Sequence, residues 1–302
     1  MAIVLQESLR AAFYAPFYAA LARDAYRAAG VEVRFASAPS PAEAATSLLA
    51  GAADVCWGGP MRVMATYATV PGCDPVCFAE VVTRDPFLLL GRAPRPDSPL
   101  AALRHARLGS VAEVPTPWLC LQEDLRRAGI DPASVTRVAD RSMAENCAAL
   151  RAGALDVVQL FEPYATELLA EGAAHLWYAA ADRGPTSYTT LYASRAVLAA
   201  RREELRGMVR AVAATQRWIA GASGAEIAAT VAGYFPAVPA PVLAAAYERY
   251  KALGIWGRDP VLPRAGYERL RDGLISGGLI PAGVAFEQAV DNSLALEVLR
   301  EG

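Results

Sequence analysis

A unit made of a helix end, a glycine and a buried strand occurs twice in this chain and limits the folds open to it. The first copy is Leu49-Ala-Gly-Ala-Ala-Asp-Val-Cys-Trp57, and the second, over 150–160, is Leu-Arg-Ala-Gly-Ala-Leu-Asp-Val-Val-Gln-Leu. A glycine in this place suits the left-handed residue that ends a helix. Two copies, about a hundred residues apart, predict two similarly wound lobes.

The segments around the first copy alternate between the strand and helix patterns. Apolar runs near residues 3–5, 31–35, 54–57 and 76–82 read as strands, with helical stretches between them. One of these helices is expected to run unbroken to about Ala29, and another is expected to begin at Ser40, with Glu43 three residues later. This order predicts an α/β fold with parallel sheets and helices on both faces.

Two composition shifts divide the chain. A Pro-rich stretch over 92–99 marks a first crossing between lobes, and a β-rich stretch over 183–194 marks the return. From residue 195 onward the pattern is almost entirely helical, and its last predicted helix covers 287–299. The expected lobes are residues 1–84 with 190–302, and residues 85–189. Two crossings are typical of a hinged clamp that closes on a small ligand.

Composition excludes several function classes. The net charge is −2 with no basic block, which argues against nucleic-acid binding. Lys251 is the single lysine, and the five cysteines, with two histidines, give no metal-ligand spacing, so we expect no cofactor and no metal. No apolar run spans a membrane, and the first residues do not resemble a secretory leader. As written, the chain is expected in the cytoplasm, or in the periplasm if a leader has been removed.

Three stretches carry a family resemblance: Phe13-Tyr-Ala-Pro-Phe-Tyr18, the segment 49–61, and the segment 150–164 that ends in Phe-Glu-Pro-Tyr. With them, the chain resembles ABC-transporter solute-binding proteins of the NMT1/THI5-like group, whose members bind thiamine pyrimidine precursors, sulfonates, nitrate or aromatic acids. The resemblance implies a two-lobed periplasmic-binding-protein-like fold of type II, a ligand cleft between the lobes, and a membrane permease as partner. The pyrimidine-synthesising members have a Cys-Cys-Cys-Phe-Cys motif, which Cys73-Asp-Pro-Val-Cys77-Phe does not match.

Candidate ligand contacts follow the strands of the first lobe. Tyr14 and Tyr18 share one face of a helix start and could line the cleft, although aromatic pairs at this spacing often belong to a core. Trp57 could stack on a ring. Free N–H groups beyond Gly59 could hold an oxygen. Packing alone would also explain this turn.

The second lobe offers a matching set. Thr116 and Trp118 begin a helix after a strand, where a plain helix cap is the alternative. The Glu162 carboxylate could accept a hydrogen bond from an amine or ring N–H of the ligand, or it could pair with an arginine across the hinge. Glu80 and Arg84, at the first crossing, are predicted to pair with each other. The full set of expected contacts is Tyr14, Tyr18, Trp57, Gly58, Gly59, Pro60, Met61, Thr116, Trp118, Glu162 and Tyr188.

The main hypothesis is a protein that binds a small, ring-bearing organic solute between hinged lobes as part of an ABC importer. The alternative is a cytoplasmic enzyme on the same fold, with menaquinone-futalosine-type or pyrimidine-precursor chemistry. A cytosolic sensor is a third hypothesis. No nucleophile constellation, phosphate loop or dinucleotide motif is present in the sequence, so no catalytic residue is assigned.

Overall fold

The computed structural model describes residues 1–301, and its strands form two separate five-stranded sheets. Within those residues the strands are β1 (Ile3–Glu7), β2 (Val33–Ser37), β3 (Val55–Gly58), β4 (Pro75–Val82), β5 (Leu88–Gly91), β6 (Arg107–Val111), β7 (Thr136–Arg141), β8 (Val157–Leu160), β9 (His175–Ala179) and β10 (Thr189–Ser194). The strand order is β2-β1-β3-β10-β4 in the first sheet and β7-β6-β8-β5-β9 in the second.

The two sheets share one plan. In the first, β1 pairs in parallel with β2 and β3, and β10 runs antiparallel between β3 and β4. In the second, β6 pairs in parallel with β7 and β8, and β5 runs antiparallel between β8 and β9. The predicted α/β architecture is confirmed. Each sheet also holds one antiparallel strand, because β5 and β10 are the strands that the chain enters directly from the other sheet.

The repeated unit has the same structural role in both sheets. Gly51 and Gly153 adopt positive φ values of 70° and 74°, which glycine allows without strain. The carboxylate of Asp54 accepts the Val4 N–H at 2.8 Å, and that of Asp156 accepts the Arg107 N–H at 2.9 Å. Each aspartate thus anchors the start of the neighbouring parallel strand, which explains why the pattern recurs.

Helices cover both sheets. They are α1 (Ala15–Ala22), α2 (Ala25–Ala28), α3 (Pro41–Leu49), α4 (Pro60–Thr69), α5 (Pro99–Ala102), α6 (Thr116–Arg127), α7 (Met143–Arg151), α8 (Tyr164–Ala170), α9 (Arg195–Ala200), α10 (Arg202–Gly221), α11 (Gly224–Val231), α12 (Ala240–Ala252), α13 (Arg264–Ser276), α14 (Phe286–Ala289) and α15 (Ser293–Glu301). No helix within residues 1–301 is both long and apolar enough to cross a lipid bilayer.

Two predicted helices differ from the structure. The expected helix up to Ala29 is broken at Asp24, which takes a left-handed conformation with φ 53° between α1 and α2. The expected helix over 287–299 is two helices, α14 and α15. Val290 separates them because it forms a β-bridge with Cys77 of β4.

The C-terminal helices brace both sheets. Helix α10 packs on α1, α2 and α15, whereas α12 contacts α8 and α13 contacts α6, both from the region of the second sheet. The two crossing segments run side by side, and the Thr186 N–H donates to the Thr83 carbonyl at 2.9 Å. The proposed first lobe consists of residues 1–84 and 190–302, and the proposed second lobe consists of residues 85–189.

Candidate functional site

A cavity lies where the parallel strands of the two sheets end. Ser8 follows β1, Gly58 ends β3, Thr116 follows β6 and Phe161 follows β8. The full lining is Ser8, Leu9, Phe13, Tyr14, Pro41, Gly58, Gly59, Met61, Arg62, Phe87, Val114, Thr116, Phe161, Tyr188, Tyr192 and Leu270. The crevice beyond the carboxyl ends of parallel strands is where α/β folds bind ligands.

The cavity is narrow. Its volume is about 570 Å³, including the part that is open to solvent. Side chains from both sheets face each other across this space, so the arrangement suits a small molecule enclosed on two sides.

Aromatic rings form most of the apolar wall. The ring of Phe13 lies edge-on to that of Phe161, with centroids 5.3 Å apart, and to that of Tyr188 at 5.9 Å. Phe87 also meets Phe161 edge-on at 5.3 Å. Phe13 belongs to the first-sheet side, whereas Phe87 and Phe161 belong to the second. The aromatic cluster therefore bridges the two halves of the protein.

The glycine pair after β3 allows a close approach of the backbone. A Cβ on Gly58 would lie 3.2 Å from Tyr192 Cε1 and 3.3 Å from Ser8 Oγ. A Cβ on Gly59 would lie 3.1 Å from the Tyr188 carbonyl oxygen. Both positions are tighter than ordinary contacts, so side chains here would push β10 and the loop after β1 away from the cavity.

Three tyrosines contribute hydroxyl groups. Burial raises the pKa of Tyr14 to about 12 and the pKa values of Tyr188 and Tyr192 well above their usual value. All three therefore stay protonated at neutral pH and can donate a hydrogen bond. The hydroxyls of Tyr188 and Tyr192 are buried and have no hydrogen-bond partner within residues 1–301.

The structure brings six of the expected contacts together around the cavity: Tyr14, Gly58, Gly59, Met61, Thr116 and Tyr188. Whether they bind a ligand stays a prediction. The other five, Tyr18, Trp57, Pro60, Trp118 and Glu162, do not line it.

Tyr18 and Trp57 belong to the core instead. Trp57 is fully buried, and its ring stacks on Phe17 at 4.7 Å and on Phe35 at 5.4 Å. The Tyr18 hydroxyl donates to the Glu7 carboxylate at 2.6 Å. These placements give no support to ligand stacking by Trp57 or to a ligand contact by Tyr18.

Pro60 and Trp118 also serve local structure. Pro60 is buried at the first turn of α4, where its missing N–H costs nothing. The guanidinium of Arg137 lies over the Trp118 ring, 4.6 Å from its centroid, as in a cation–π contact.

Glu162 pairs with an arginine of the C-terminal helices, which is one of the two roles expected for it. Its carboxylate is fully buried, forms an ion pair with Arg249 of α12 and accepts the Thr166 N–H at 2.8 Å. The predicted pair of Glu80 and Arg84 is wrong, because within residues 1–301 no ion pair joins them. Arg84 donates to the Ala181 carbonyl instead, and one Glu80 oxygen has no partner in the described part of the chain.

Sequence reasoning missed ten of the lining residues: Ser8, Leu9, Phe13, Pro41, Arg62, Phe87, Val114, Phe161, Tyr192 and Leu270. Ser8 and Phe161 directly follow parallel strands, a position that could have singled them out. Among residues 1–301, no cluster of three or more His, Cys, Asp and Glu side chains is arranged to hold a metal ion. The five cysteines are free thiols.

Comparison with known proteins gives a family. Residues 9–233 match the NMT1-like family. YtlA from Bacillus subtilis (strain 168), named as a binding protein, is 24% identical over 303 residues, which cover 99% of this chain and 90% of YtlA.

Two solved structures share the fold. The periplasmic aliphatic sulphonate binding protein SsuA from Escherichia coli has a TM-score of 0.79 at 16% identity, over 98% of this chain and 99% of SsuA. A cysteine-to-serine mutant of the desulfurization enzyme DSZB, in complex with biphenyl-2-sulfinic acid, has a TM-score of 0.70 at 16% identity over 100% of both chains. The fold is thus that of periplasmic binding proteins, and an enzyme has it too. Because the family match extends over most of its residues, this chain belongs to the NMT1-like family.

Proposed function

We propose that this protein is the substrate-binding component of an ABC importer and encloses a small, ring-bearing organic solute between its two lobes. The permease of that importer is the proposed partner. The likeness to SsuA and the name of YtlA support the binding role. The nature of the solute is inferred from the cavity.

The carrying observation is the aromatic cluster that spans the cavity. Phe13 comes from one side, and Phe87 and Phe161 come from the other. A planar ring seated against this cluster gains edge-to-face contacts with rings from both halves at once. Binding and closure are thereby coupled, because the contacts with the far side form only when the two sheets approach each other.

Native mass spectrometry of the freshly purified protein, beside its denatured mass, is the first test. A mass lost on denaturation, whose fragments contain an aromatic or heteroaromatic ring, is the expected result. A retained ligand without a ring would refute the proposed solute class.

A pair of variants tests the cavity itself. Phe161→Leu removes a cavity ring, whereas Phe35→Leu removes a half-buried ring that lies outside the cavity. Loss of one aromatic contact is expected to weaken binding of the retained ligand about 2- to 12-fold in Phe161→Leu, by calorimetry. Equal effects of both substitutions would contradict the proposed site.

An enzyme on the same fold is the second candidate, since DSZB shares the architecture. It predicts that the released compound is converted when incubated with the protein. Recovery of the unchanged compound after prolonged incubation would favour the binding protein.

A further inference from the structure

We propose that the solute is an organic anion and that Arg62 is the residue that selects its charge. The inference rests on the proposed function and adds the chemical class of the solute: a carboxylate or sulfonate group carried on an aromatic or apolar body.

Arg62 is the charged member of the cavity lining. It is the third residue of α4, and its backbone N–H donates a hydrogen bond to the Gly59 carbonyl at 2.8 Å. Its guanidinium group makes no hydrogen bond or ion pair with any residue from 1 to 301, and its Nε is buried without a partner. This helix position holds the side chain at the cavity wall.

Two other arginines that are largely withdrawn from solvent are neutralised by acids. Arg183 pairs with Asp85 and Asp124, and Arg249 pairs with Glu162. A buried charge that lacks such a partner is costly, because water and counterions are excluded from it. Within residues 1–301, Arg62 and Arg269 both lack such a partner, but only Arg62 lines the cavity, so its counter-charge is expected to come from the bound molecule.

No acid among residues 1–301 forms an ion pair with Arg62. Glu7, at the end of β1, raises the pKa of the cavity residue Tyr14 through its charge. Its carboxylate, however, is held by Arg10, Tyr18 and Ser37. That carboxylate is therefore already satisfied, and the positive charge of Arg62 remains open to the cavity.

The other polar groups of the wall also act as donors. The hydroxyls of Tyr188 and Tyr192 are buried and protonated, and neither has a partner among residues 1–301. The guanidinium of Arg62 acts on the Tyr192 hydroxyl through its charge. Helices α4 and α6 both begin at the cavity, and a helix N-terminus favours negative charge. A cluster of donors around one cation matches the acceptor-only oxygens of a carboxylate or sulfonate.

The experiment compares charged probes with neutral probes of the same shape. Benzoate is compared with benzamide, and benzenesulfonate with benzenesulfonamide, by calorimetry on dialysed protein at neutral pH. The wild-type protein is expected to bind at least one anion about 10-fold more tightly than its amide, because a charge-assisted contact is lost in the amide. The stronger of the two anions identifies the acid group.

Two variants assign this preference to Arg62. Arg62→Gln is expected to weaken binding of the anion by about 10-fold or more and to leave binding of the amide within about 2-fold. Arg62→Lys, which keeps the charge but loses the planar fork, is expected to lie between Gln and wild type. Arg269→Gln is the matched control, a half-buried arginine outside the cavity whose Nε also has no partner within residues 1–301. Thermal unfolding checks that each variant is folded.

Several outcomes overturn the inference. An amide that binds as tightly as its acid, or an anion whose affinity is unchanged in Arg62→Gln, would remove the charge-selecting role and leave the proposed function intact. A neutral or cationic ligand identified by native mass spectrometry would do the same. If none of the four probes binds and no ligand is retained, the proposed function fails together with the inference.

Discussion

Removing Arg249 is the substitution for which the structure predicts the clearest loss of stability. Glu162 lies at the end of the second sheet, and its side chain is fully buried against α12. Arg249 also donates to the Thr166 hydroxyl at 2.7 Å, and the Glu162 N–H donates to the Tyr250 hydroxyl at 2.9 Å. Arg249→Met keeps most of the aliphatic stem and deletes the positive charge.

The size of the stability loss depends on the Glu162 carboxylate, which stays buried when Arg249 is removed. Breaking a fully buried ion pair costs about 3–5 kcal/mol, because an unpaired charge remains. Arg249 is 25% exposed, and the Thr166 N–H continues to donate to the carboxylate. We therefore expect the free energy of unfolding to fall by about 2–3 kcal/mol. The double variant Glu162→Gln with Arg249→Met leaves no charge unpaired and should recover part of the loss.

Urea unfolding followed by circular dichroism measures the loss of stability in Arg249→Met and its recovery in the double variant. Glu162→Gln alone completes the double-mutant cycle, from which the coupling between the two side chains is obtained. A loss below about 0.5 kcal/mol in Arg249→Met would refute the idea that the carboxylate depends on this arginine. So would a double variant less stable than either single variant.

Three further substitutions test the packing and the charge state of the interior. Burial raises the pKa of the Glu80 carboxyl from 4.5 to about 8, so between these pH values the folded state binds a proton that the unfolded state has lost. The free energy of unfolding should therefore fall by a few kcal/mol as pH rises from about 5 to 8. Glu80→Gln should flatten this slope in urea titrations, and identical slopes in both proteins would contradict the raised pKa. Gly91→Ala places a Cβ 2.1 Å from the Trp177 ring and should cost about 3 kcal/mol by thermal unfolding, with an unchanged midpoint as the contrary result. Gly277→Ala places a Cβ 2.4 Å from Leu119 Cδ2, where α13 meets α6, and should lower the free energy of unfolding by about 1–2 kcal/mol. If that contact is the cause, Gly277→Ala should cost less stability in a Leu119→Ala background than in the wild-type protein.

The overall frame could be predicted because its signals are local. Gly51 and Gly153 end helices by their left-handed conformation, which depends only on the residues next to each glycine. Such features act within a few residues and survive any tertiary arrangement. The antiparallel placement of β10 could not be read in the same way, because it depends on where the chain returns after the second crossing.

The site was harder to predict because aromatic residues serve the core and the cavity alike. Tyr14 and Tyr18 share a helix face, yet Tyr14 lines the cavity and Tyr18 is taken by Glu7. Along β3, Trp57 points into the stack with Phe17, while its neighbour Gly58 borders the cavity. Spacing shows which side chains share a face of an element, but the partner of that face is decided by residues far away in sequence.

The second crossing joins the proposed ligand site to the proposed hinge through one residue, Tyr188. The Tyr188 N–H donates to the Val82 carbonyl at 2.8 Å, which ties the returning chain to the end of β4. The ring of Tyr188 lies 5.9 Å from Phe13 and 6.3 Å from Phe87, one on each side of the cavity. A change in the angle between the sheets must therefore move this ring relative to at least one of the two phenylalanines. Since a ligand in the cavity would contact the same ring, we expect occupancy of the site and the angle of the hinge to depend on each other.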